Sequence, residues 1–339
     1  MPVPHPYQPP ASRTARTTRG VPAACAVLAA ALLTGCTADG GPADPAAAPT
    51  GPAATAAPRE PSPAEETEET GGTEENRDPA FTGLEEAYQA RLGVYARDTG
   101  TGRHVAYRAD ERFPFLSTIK TIAAAEVLED STRADLGTTI LYGPGDLVEW
   151  SPETEEHAGE GMPLGDVLRA AITASDNTAA NLVLDRLGGP HALEARLRGD
   201  GDDVTSVDRP EPELNEWSPG ETRDTTTPRA IAAQFQEDVL GDELSEPMRG
   251  FLVRALRDNK TGDDLIRAGV PEGWDVGDKT GSAGGMRNDL AVLVPPGGDP
   301  IILAVYTHTN DPDAESDPAL IAEATRVVVD ALTRCADCT

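Results

Sequence analysis

The order of strand-like and helical patterns constrains the fold of this chain more than any other feature of its sequence. Between residues 81 and 339, alternating apolar and polar residues occur near both ends, whereas a long central stretch has a helical pattern. Strands that flank a run of helices are typical of the α+β class. We expect one antiparallel sheet of about five strands, formed by both ends of this segment and packed with helices.

The same patterns predict individual elements. For the two ends they indicate a helix over 84–92, strands over 93–97, 105–109, 290–294 and 301–308, and a last helix over 319–333. We expect the segment to divide into an all-helical part, about 116–258, and an α/β part in which 81–115 combine with 259–339.

The first residues carry signals for export. Three arginines precede an apolar run over 24–33, which is shorter than the about 20 residues that span a bilayer. Such a start is typical of a secretory signal peptide. The run ends at Leu33-Thr34-Gly35-Cys36, which resembles the bacterial lipobox, where cleavage precedes a cysteine that becomes lipidated. We expect residues 1–35 to be a lipoprotein signal peptide; the alternative is a short buried helix with a chance cysteine.

Residues 36–80 contain no aromatic residue and are dominated by Ala, Pro, Gly, Thr and Glu. Such a segment cannot bury enough apolar surface to offset the entropy lost on ordering, so we expect a disordered tether. The tether would join residues 81–339 to a lipid on Cys36. The chain is therefore expected outside the cytoplasm, on the outer face of the cell membrane, with membrane contact only through that lipid.

Charge and cysteine content narrow the possible partners. The chain has 28 Lys and Arg residues against 58 Asp and Glu residues, a formal net charge of −30, which would repel nucleic-acid phosphates. Once Cys25 is removed and Cys36 lipidated, only Cys335 and Cys338 remain, and whether they pair is open. The five histidines show no paired metal-ligand spacing. We expect no nucleic-acid partner, no metal and no cofactor.

The first candidate chemical motif is Ser117 with Lys120. Both follow Pro114 in a nearly all-apolar helical run, and their spacing of three places the two side chains on one helix face. There the hydroxyl lies in the positive field of the helix N-terminus, and a buried lysine can accept a proton if its neutral form is favoured. Alone, this motif is more often a helix cap followed by a surface lysine.

Two further motifs lie downstream. Ser175-Asp176-Asn177 joins two apolar helical runs, where its plainest interpretation is a helix cap. Lys279-Thr280-Gly281 follows Asp278 in a strand-like pattern. A phosphate-binding loop is excluded for the latter, because such a loop requires glycine before the lysine and a helix after it.

Taken in order, the three motifs resemble the Ser-x-x-Lys, Ser-Asp-Asn and Lys-Thr-Gly motifs of the penicillin-recognising serine enzymes. Between the second and third, Arg209-Pro-Glu-Pro-Glu-Leu-Asn215 resembles the omega loop of class A β-lactamases, an element that D,D-peptidase relatives lack. The spacings between these elements also resemble the family pattern. The resemblance covers nearly all of residues 81–339, including Arg287-Asn288-Asp289.

The resemblance implies a β-lactamase-like fold and hydrolysis of the β-lactam amide bond through an acyl-enzyme, giving antibiotic resistance. Penicillins are the expected substrates, with cephalosporins a further candidate class. Ser117 would be the nucleophile, and either Lys120 or Glu211 acting through water would take its proton. Glu211 would also be the base for deacylation, with Asn215 orienting the water. The implied catalytic residues are Ser117, Lys120, Ser175, Glu211, Asn215 and Lys279.

The resemblance also implies how a β-lactam would be recognised. Lys279 would bind the substrate carboxylate together with Thr280, Ser282 and Arg287. Asn177 would hold the acylamide side chain. Trp150 would form an aromatic wall, unless it packs in the core. Backbone amides of Ser117 and Ser282 would form the oxyanion hole. Arg209 would instead be structural, pairing across the neck of the omega loop with an acidic residue such as Asp224. The implied substrate-binding residues are Trp150, Asn177, Thr280, Gly281, Ser282 and Arg287.

One departure from the family pattern bears on the substrate range. The stretch 282–286 is one residue shorter than the family usually shows, so Arg287 is expected to shift from its usual place. The alternatives to a β-lactamase are a D,D-peptidase-like penicillin-binding protein, against which Glu211 and Asn215 argue, and a lipoprotein that traps β-lactams. We expect a monomer whose partner is a small-molecule β-lactam.

Overall fold

A computed structural model describes residues 78–311 and 314–333, to which all structural statements below refer. The predicted signal peptide and the first 42 residues of the tether (36–77), including Cys36, lie outside the described residues. So do Cys335 and Cys338 near the C-terminus.

A five-stranded antiparallel sheet joins the two ends of the described chain. The strands are β1 (Ala90–Asp98), β2 (His104–Tyr107), β3 (Phe113–Pro114), β4 (Thr139–Ile140), β5 (Met162–Pro163), β6 (Thr225–Thr226), β7 (Asp275–Ala283), β8 (Met286–Val294) and β9 (Ile301–Thr309). The order in the main sheet is β2-β1-β9-β8-β7, and β1 pairs with β9 over its whole length, from Ala90 opposite Thr309 to Asp98 opposite Ile301. The predicted sheet of about five strands from both ends of the chain is confirmed.

Helices cover both faces of this sheet. They are α1 (Asp78–Tyr88), α2 (Ile119–Glu129), α3 (Leu164–Thr173), α4 (Asn177–Leu187), α5 (Pro190–Gly199), α6 (Pro228–Leu240), α7 (Glu246–Arg257), α8 (Ile266–Gly269) and α9 (Pro318–Thr333). Alternate residues of β9 face opposite cores: Leu303 and Val305 pack with α9, whereas Ala304 and Tyr306 pack with the core that contains the central helices. None of the helices among the described residues has the length and apolarity that crossing a membrane would require.

Helix α2 is buried on every side. All residues from Ile119 to Leu128 are buried, and the helix contacts α3, α4, α6 and α7. A helix that is apolar around its whole circumference must lie inside the protein, and the nearly continuous apolar run of this segment satisfies that condition. Because α2 follows Ser117 directly, the core fixes the start of the helix and the residues before it.

The predicted helix over 84–92 was wrong at its end. Helix α1 ends at Tyr88, Gln89 has a φ of +50°, and Ala90 begins strand β1. Residues 90–92 form strand because they pair with β9, more than 200 residues further along the chain. Local periodicity does not contain that long-range pairing, so it cannot place the boundary.

Two buried carboxyl groups lie on the central helix α2 and on helix α6, which packs against it. Glu126 of α2 and Asp238 of α6 are both almost fully buried, and Arg196 is 3.4 Å from the Glu126 carboxylate. Burial and the neighbouring Asp200 raise the pKa of Glu126 to about 7. Burial likewise raises the pKa of Asp238, whose Oδ2 has no hydrogen-bond partner among the described residues. These groups are therefore sources of pH-dependent stability.

We expect Glu126→Gln to remove part of the pH dependence of folding. Between about pH 4.5 and pH 7, the folded protein keeps a proton on Glu126 that the unfolded chain has lost, so the free energy of unfolding falls as pH rises. This group accounts for a loss of up to about 3 kcal/mol. Denaturant unfolding at pH 5 and pH 8 should show a smaller loss for Glu126→Gln. Glu86→Gln, an exposed change on α1, should behave as the wild type; equal losses in all three proteins would contradict the assignment.

Candidate active site

Ser117 lies where the sheet meets the central helix. It occupies a 3₁₀ turn, Leu116–Thr118, directly before α2, rather than the first turn of the helix itself. Leu116 has a φ of +53°, in the left-handed region that bulky residues rarely adopt. A Cβ at Gly281 of β7 would come within 2.8 Å of the Leu116 Cβ and 3.2 Å of the Ser117 amide nitrogen. Glycine therefore permits the close approach of β7 to this turn.

Lys120 forms a buried ion pair at the centre of the site. Its Nζ lies 2.9 Å from Glu211 Oε1, and both side chains are almost fully buried. Nζ also donates to Asn177 Oδ1 at 2.5 Å and to the backbone carbonyl of Ser175 at 2.8 Å. Burial lowers the pKa of Lys120, and the Glu211 carboxylate opposes that shift. Three acceptors thus satisfy the three donors of the ammonium group.

Glu211 bridges the serine hydroxyl and Asn215. Ser117 Oγ donates to Glu211 Oε1 at 3.2 Å, and Asn215 Nδ2 donates to Oε2 at 2.6 Å. Asn181 of α4 accepts from the Glu211 N–H and donates to its C=O, both at 2.8 Å. The peptide bond to Pro212 is cis. Both oxygens of one carboxylate are therefore held in fixed positions beside the serine.

Ser175 lies between two buried lysines. Its Oγ accepts from Lys279 Nζ at 3.1 Å and is 3.4 Å from Lys120 Nζ. Asp176 caps helix α4 by accepting from the Ala179 N–H, so the predicted cap is also present. Burial, and secondly the charge of Lys120, lower the pKa of Lys279 to about 7. Ser175 can therefore exchange protons with either lysine.

These residues surround a cavity of about 660 Å³. Lys120, Glu211 and Lys279 lie behind its wall, almost fully buried. Trp150 is 62% exposed, and its Nε1 donates to the Ala174 carbonyl, so core packing does not explain it. The predicted site residues that line the cavity are Ser117, Trp150, Ser175, Asn177, Asn215, Thr280, Gly281, Ser282 and Arg287.

The shortened stretch 282–286 forms a tight hairpin. Strands β7 and β8 keep continuous pairing up to Ala283 opposite Met286, with Ser282 opposite Arg287. The Arg287 side chain lines the cavity, and its Nη2 lies 3.4 Å from Ser282 Oγ. Arg287 therefore lies on the cavity wall, and the expectation that it is displaced from its usual place stays a prediction.

The loop that carries Glu211 is closed by an ion pair. Arg209 Nε donates to Asp224 Oδ2 at 2.6 Å, and Asp224 Oδ1 accepts from the Asp208 and Arg209 N–H groups. Arg209 also donates to the Glu216 carbonyl. The predicted pairing of Arg209 with Asp224 is confirmed, and it fixes both ends of the loop.

Sequence reasoning missed several residues of the cavity wall. Glu149, Pro212, Thr261 and Leu265 line it as well, and Thr261 Oγ1 is 2.6 Å from Thr280 Oγ1. Glu149 and Pro212 adjoin predicted residues, so proximity in sequence was a usable signal. No local pattern marks Thr261 or Leu265, which only the tertiary structure brings there. Within the described residues, no group of three or more His, Cys, Asp or Glu side chains is placed to hold a metal ion.

Comparisons with known proteins agree with this geometry. A family model described as the β-lactamase enzyme family matches residues 77–332. A β-lactamase from Amycolatopsis lactamdurans is 52% identical over 260 residues, covering 75% of this chain and 86% of that protein. One from Bacillus licheniformis is 49% identical over 253 residues, covering 74% and 82%.

Solved structures give the same result. A class A β-lactamase from Clostridium kluyveri is 41% identical with a TM-score of 0.75, covering 76% of this chain and 98% of that one. A halotolerant bacterial β-lactamase is 46% identical with a TM-score of 0.74, covering 75% and 99%. The chain therefore belongs to the β-lactamase enzyme family and, within it, to the class A serine β-lactamases.

Proposed function

We propose that this chain hydrolyses the β-lactam amide bond through an acyl-enzyme on Ser117, with penicillins as substrates and cephalosporins as a further class. The observation that carries the proposal is the placement of Glu211, which contacts the Ser117 hydroxyl at 3.2 Å and Asn215 at 2.6 Å. A carboxylate beside both the nucleophile and a water-orienting amide supplies what release of the acyl group requires. Hydrolysis of this kind gives antibiotic resistance.

In acylation, Ser117 Oγ attacks the lactam carbonyl carbon and loses its proton. Two acceptors are available: Glu211, which already accepts from the hydroxyl, and Lys120, whose pKa burial lowers. The backbone amides of Ser117 and Ser282 donate to the oxyanion of the tetrahedral intermediate. When the C–N bond breaks, Ser175, which lies beside Lys279, gives a proton to the leaving nitrogen and recovers from Lys120 the proton that left Ser117. If Glu211 took that proton first, it passes to Lys120 across their 2.9 Å contact, so that Glu211 is a carboxylate again before deacylation.

In deacylation, water attacks the ester carbonyl carbon of the acyl-enzyme. Glu211 takes a proton from that water, and Asn215, which donates to the other carboxylate oxygen, helps to fix its position. The second tetrahedral intermediate uses the same two amides. Collapse returns the proton to Ser117 Oγ and releases the ring-opened acid.

The cavity wall supports recognition of an anionic substrate. Arg287, Thr280 and Ser282 line one side of the cavity and would bind the substrate carboxylate, with the Lys279 charge behind them. Asn177 would hold the acylamide group. The exposed Trp150 would cover the bound ligand on the side of the helical residues.

We further propose that the mature protein is an extracytoplasmic lipoprotein. Residues 1–35 would be removed as a signal peptide, Cys36 would carry the lipid, and residues 36–80 would form a tether. Residues 81–339 would be the β-lactamase domain, acting as a monomer, with an all-helical part near 116–258. The basic flank, the short apolar run and the Leu-Thr-Gly-Cys sequence support this proposal.

The first test is a full time course with a chromogenic cephalosporin and the chain lacking residues 1–35. We expect many turnovers per enzyme, and Ser117→Ala should lower the rate on the order of 10⁴-fold or more. A burst of one equivalent without further turnover would instead support a penicillin-binding or β-lactam-trapping protein. No reaction with either a cephalosporin or a penicillin would contradict the proposal.

The second test separates the two chemical steps with Glu211→Gln. We expect kcat to fall about 10²- to 10⁴-fold, because deacylation loses its base. Acylation should continue, since removing the Glu211 charge lowers the pKa of Lys120 further and frees its amine as an acceptor. Mass spectrometry should therefore show a persistent covalent adduct on Ser117. Glu213→Gln, an exposed change in the same loop, is the matched control; undiminished turnover of Glu211→Gln would remove Glu211 from the mechanism.

The third test concerns anchoring. When the full chain is expressed in a bacterium that processes lipoproteins, we expect it in the membrane fraction with labelled fatty acid attached. Cys36→Ala should shift the protein to the soluble fraction without label. Retention of label in Cys36→Ala would show that the lipid lies elsewhere, whereas retention in the membrane fraction without label would show that the apolar run remains uncleaved.

A further inference from the structure

The backbone before Ser117 is strained and must be held by its surroundings. Leu116 has a φ of +53°, a conformation that persists in a bulky residue only where neighbouring contacts determine it. The direction of the Ser117 N–H depends on that conformation, because the N–H belongs to the peptide unit that joins Leu116 to Ser117. Contacts to the residues just before Leu116 therefore control where this donor points.

Asn288 of β8 makes such contacts. Its side chain is fully buried, and Nδ2 donates to the Pro114 carbonyl at 2.7 Å and to the Phe115 carbonyl at 3.3 Å. Its Oδ1 accepts from the Thr307 N–H of β9 at 3.2 Å. The amide group thus joins two strands of the sheet to the two peptide carbonyls immediately before Leu116.

The position of Asn288 also relates it to the second proposed oxyanion donor. Ser282 of β7 pairs with Arg287 of β8, the residue next to Asn288. The proposed oxyanion hole takes one amide from the Ser117 turn and one from β7, which are separate elements of the chain. Asn288 connects the strand that positions Ser282 with the segment that positions Ser117.

Other contacts at the same turn come from elements other than strand β8, although one of them shares the Phe115 carbonyl with Asn288. Thr118 Oγ1 donates to the Phe115 carbonyl at 2.6 Å, and the Phe115 N–H donates to the Asp224 carbonyl. Thr118 lies within the turn's own segment, and Asp224 belongs to the loop that carries Glu211. Neither links the turn to strand β8, so they do not replace Asn288.

We propose that Asn288 is a positioning residue that sets the Ser117 amide relative to the Ser282 amide and so shapes the oxyanion hole. The inference rests on the proposed acyl-enzyme function and adds a residue that touches neither substrate nor Ser117 Oγ. Asparagine suits this place because it supplies a donor for two carbonyls and an acceptor for one N–H from a single planar group.

An isosteric replacement gives a test that a purely structural role would not pass. In Asn288→Asp, an ionised carboxylate would face the carbonyl oxygens of Pro114 and Phe115, whereas the protonated acid can donate to one of them. Burial raises the pKa of such a carboxyl. Activity of Asn288→Asp relative to wild type should therefore rise as pH falls and the donor is restored. Taking the ratio at each pH cancels the titrations of Lys120 and Lys279, which both proteins share.

The experiment compares wild type, Asn288→Asp and Asn288→Ala in pre-steady-state acylation by a chromogenic β-lactam and in inhibition by a phenylboronic acid. The boronic acid forms a tetrahedral adduct on Ser117 that resembles the transition state. We expect about 10- to 100-fold slower acylation at pH 8, since removing one oxyanion donor outright costs about 10²- to 10³-fold. The boronic acid should bind more weakly by a similar factor. Asn288→Asp should recover at acid pH, and Asn288→Ala should not.

Val305→Ala controls for general loosening of the sheet. Val305 lies on β9 and faces the core that contains α9, away from the Ser117 turn. The Val305→Ala substitution should lower the midpoint of thermal unfolding without changing the acylation rate per folded enzyme. If Asn288→Ala does not fold, Asn288→Asp measured across pH carries the test alone.

Two outcomes would overturn the proposal. One is acylation by both Asn288 variants within twofold of wild type; the other is a loss that boronic acid affinity does not follow. Failure of the underlying function would be visible separately, because wild type would then show no Ser117-dependent adduct. In that case the boronic acid would bind wild type and Ser117→Ala equally.

Discussion

The buried ion pair between Lys120 and Glu211 is the interaction on which the rest of this structure depends. Moving a lysine and a glutamate out of water costs several kcal/mol for each ion, and their attraction offsets this only if every remaining donor and acceptor is satisfied. Here Asn177, the Ser175 carbonyl and Asn215 supply those partners. The pair therefore requires the central helix, the turn after α3 and the loop 209–224 to meet at one point.

This requirement explains why conformations that are unfavourable locally persist around the pair. Leu116 and Ser175 both have positive φ values, and Gly281 must lack a side chain for β7 to approach. Strain of this kind is maintained by surrounding packing, which here is the apolar interior around α2. The core thus stabilises a polar site that the local sequence would not form by itself.

Much of the site could be predicted because its residues lie in short motifs whose order and spacing along the chain resemble a family pattern. Ser117 and Lys120 stand one helical turn apart, and Lys279 begins a motif that reads as strand. The residues that could not be predicted reach the site by long-range contact: Thr261 and Leu265 line the cavity without any local pattern. The predicted end of the first helix, at residue 92, was wrong for the same reason. Helix α1 ends at Tyr88 because the strand that follows is defined by its pairing with β9.

The charges of the site also explain how a strongly acidic chain could bind an anionic ligand. Glu211 neutralises Lys120, so the positive potential that remains comes from Arg287 on the cavity wall and, while it is protonated, from Lys279, whose pKa burial lowers to about 7. The chain as a whole carries −30, which opposes an anionic ligand at a distance. At physiological salt that opposition is screened beyond about 8 Å, whereas contacts inside a cavity with buried walls are screened far less. The proposed binding of a substrate carboxylate therefore depends on the nearest cations rather than on net charge.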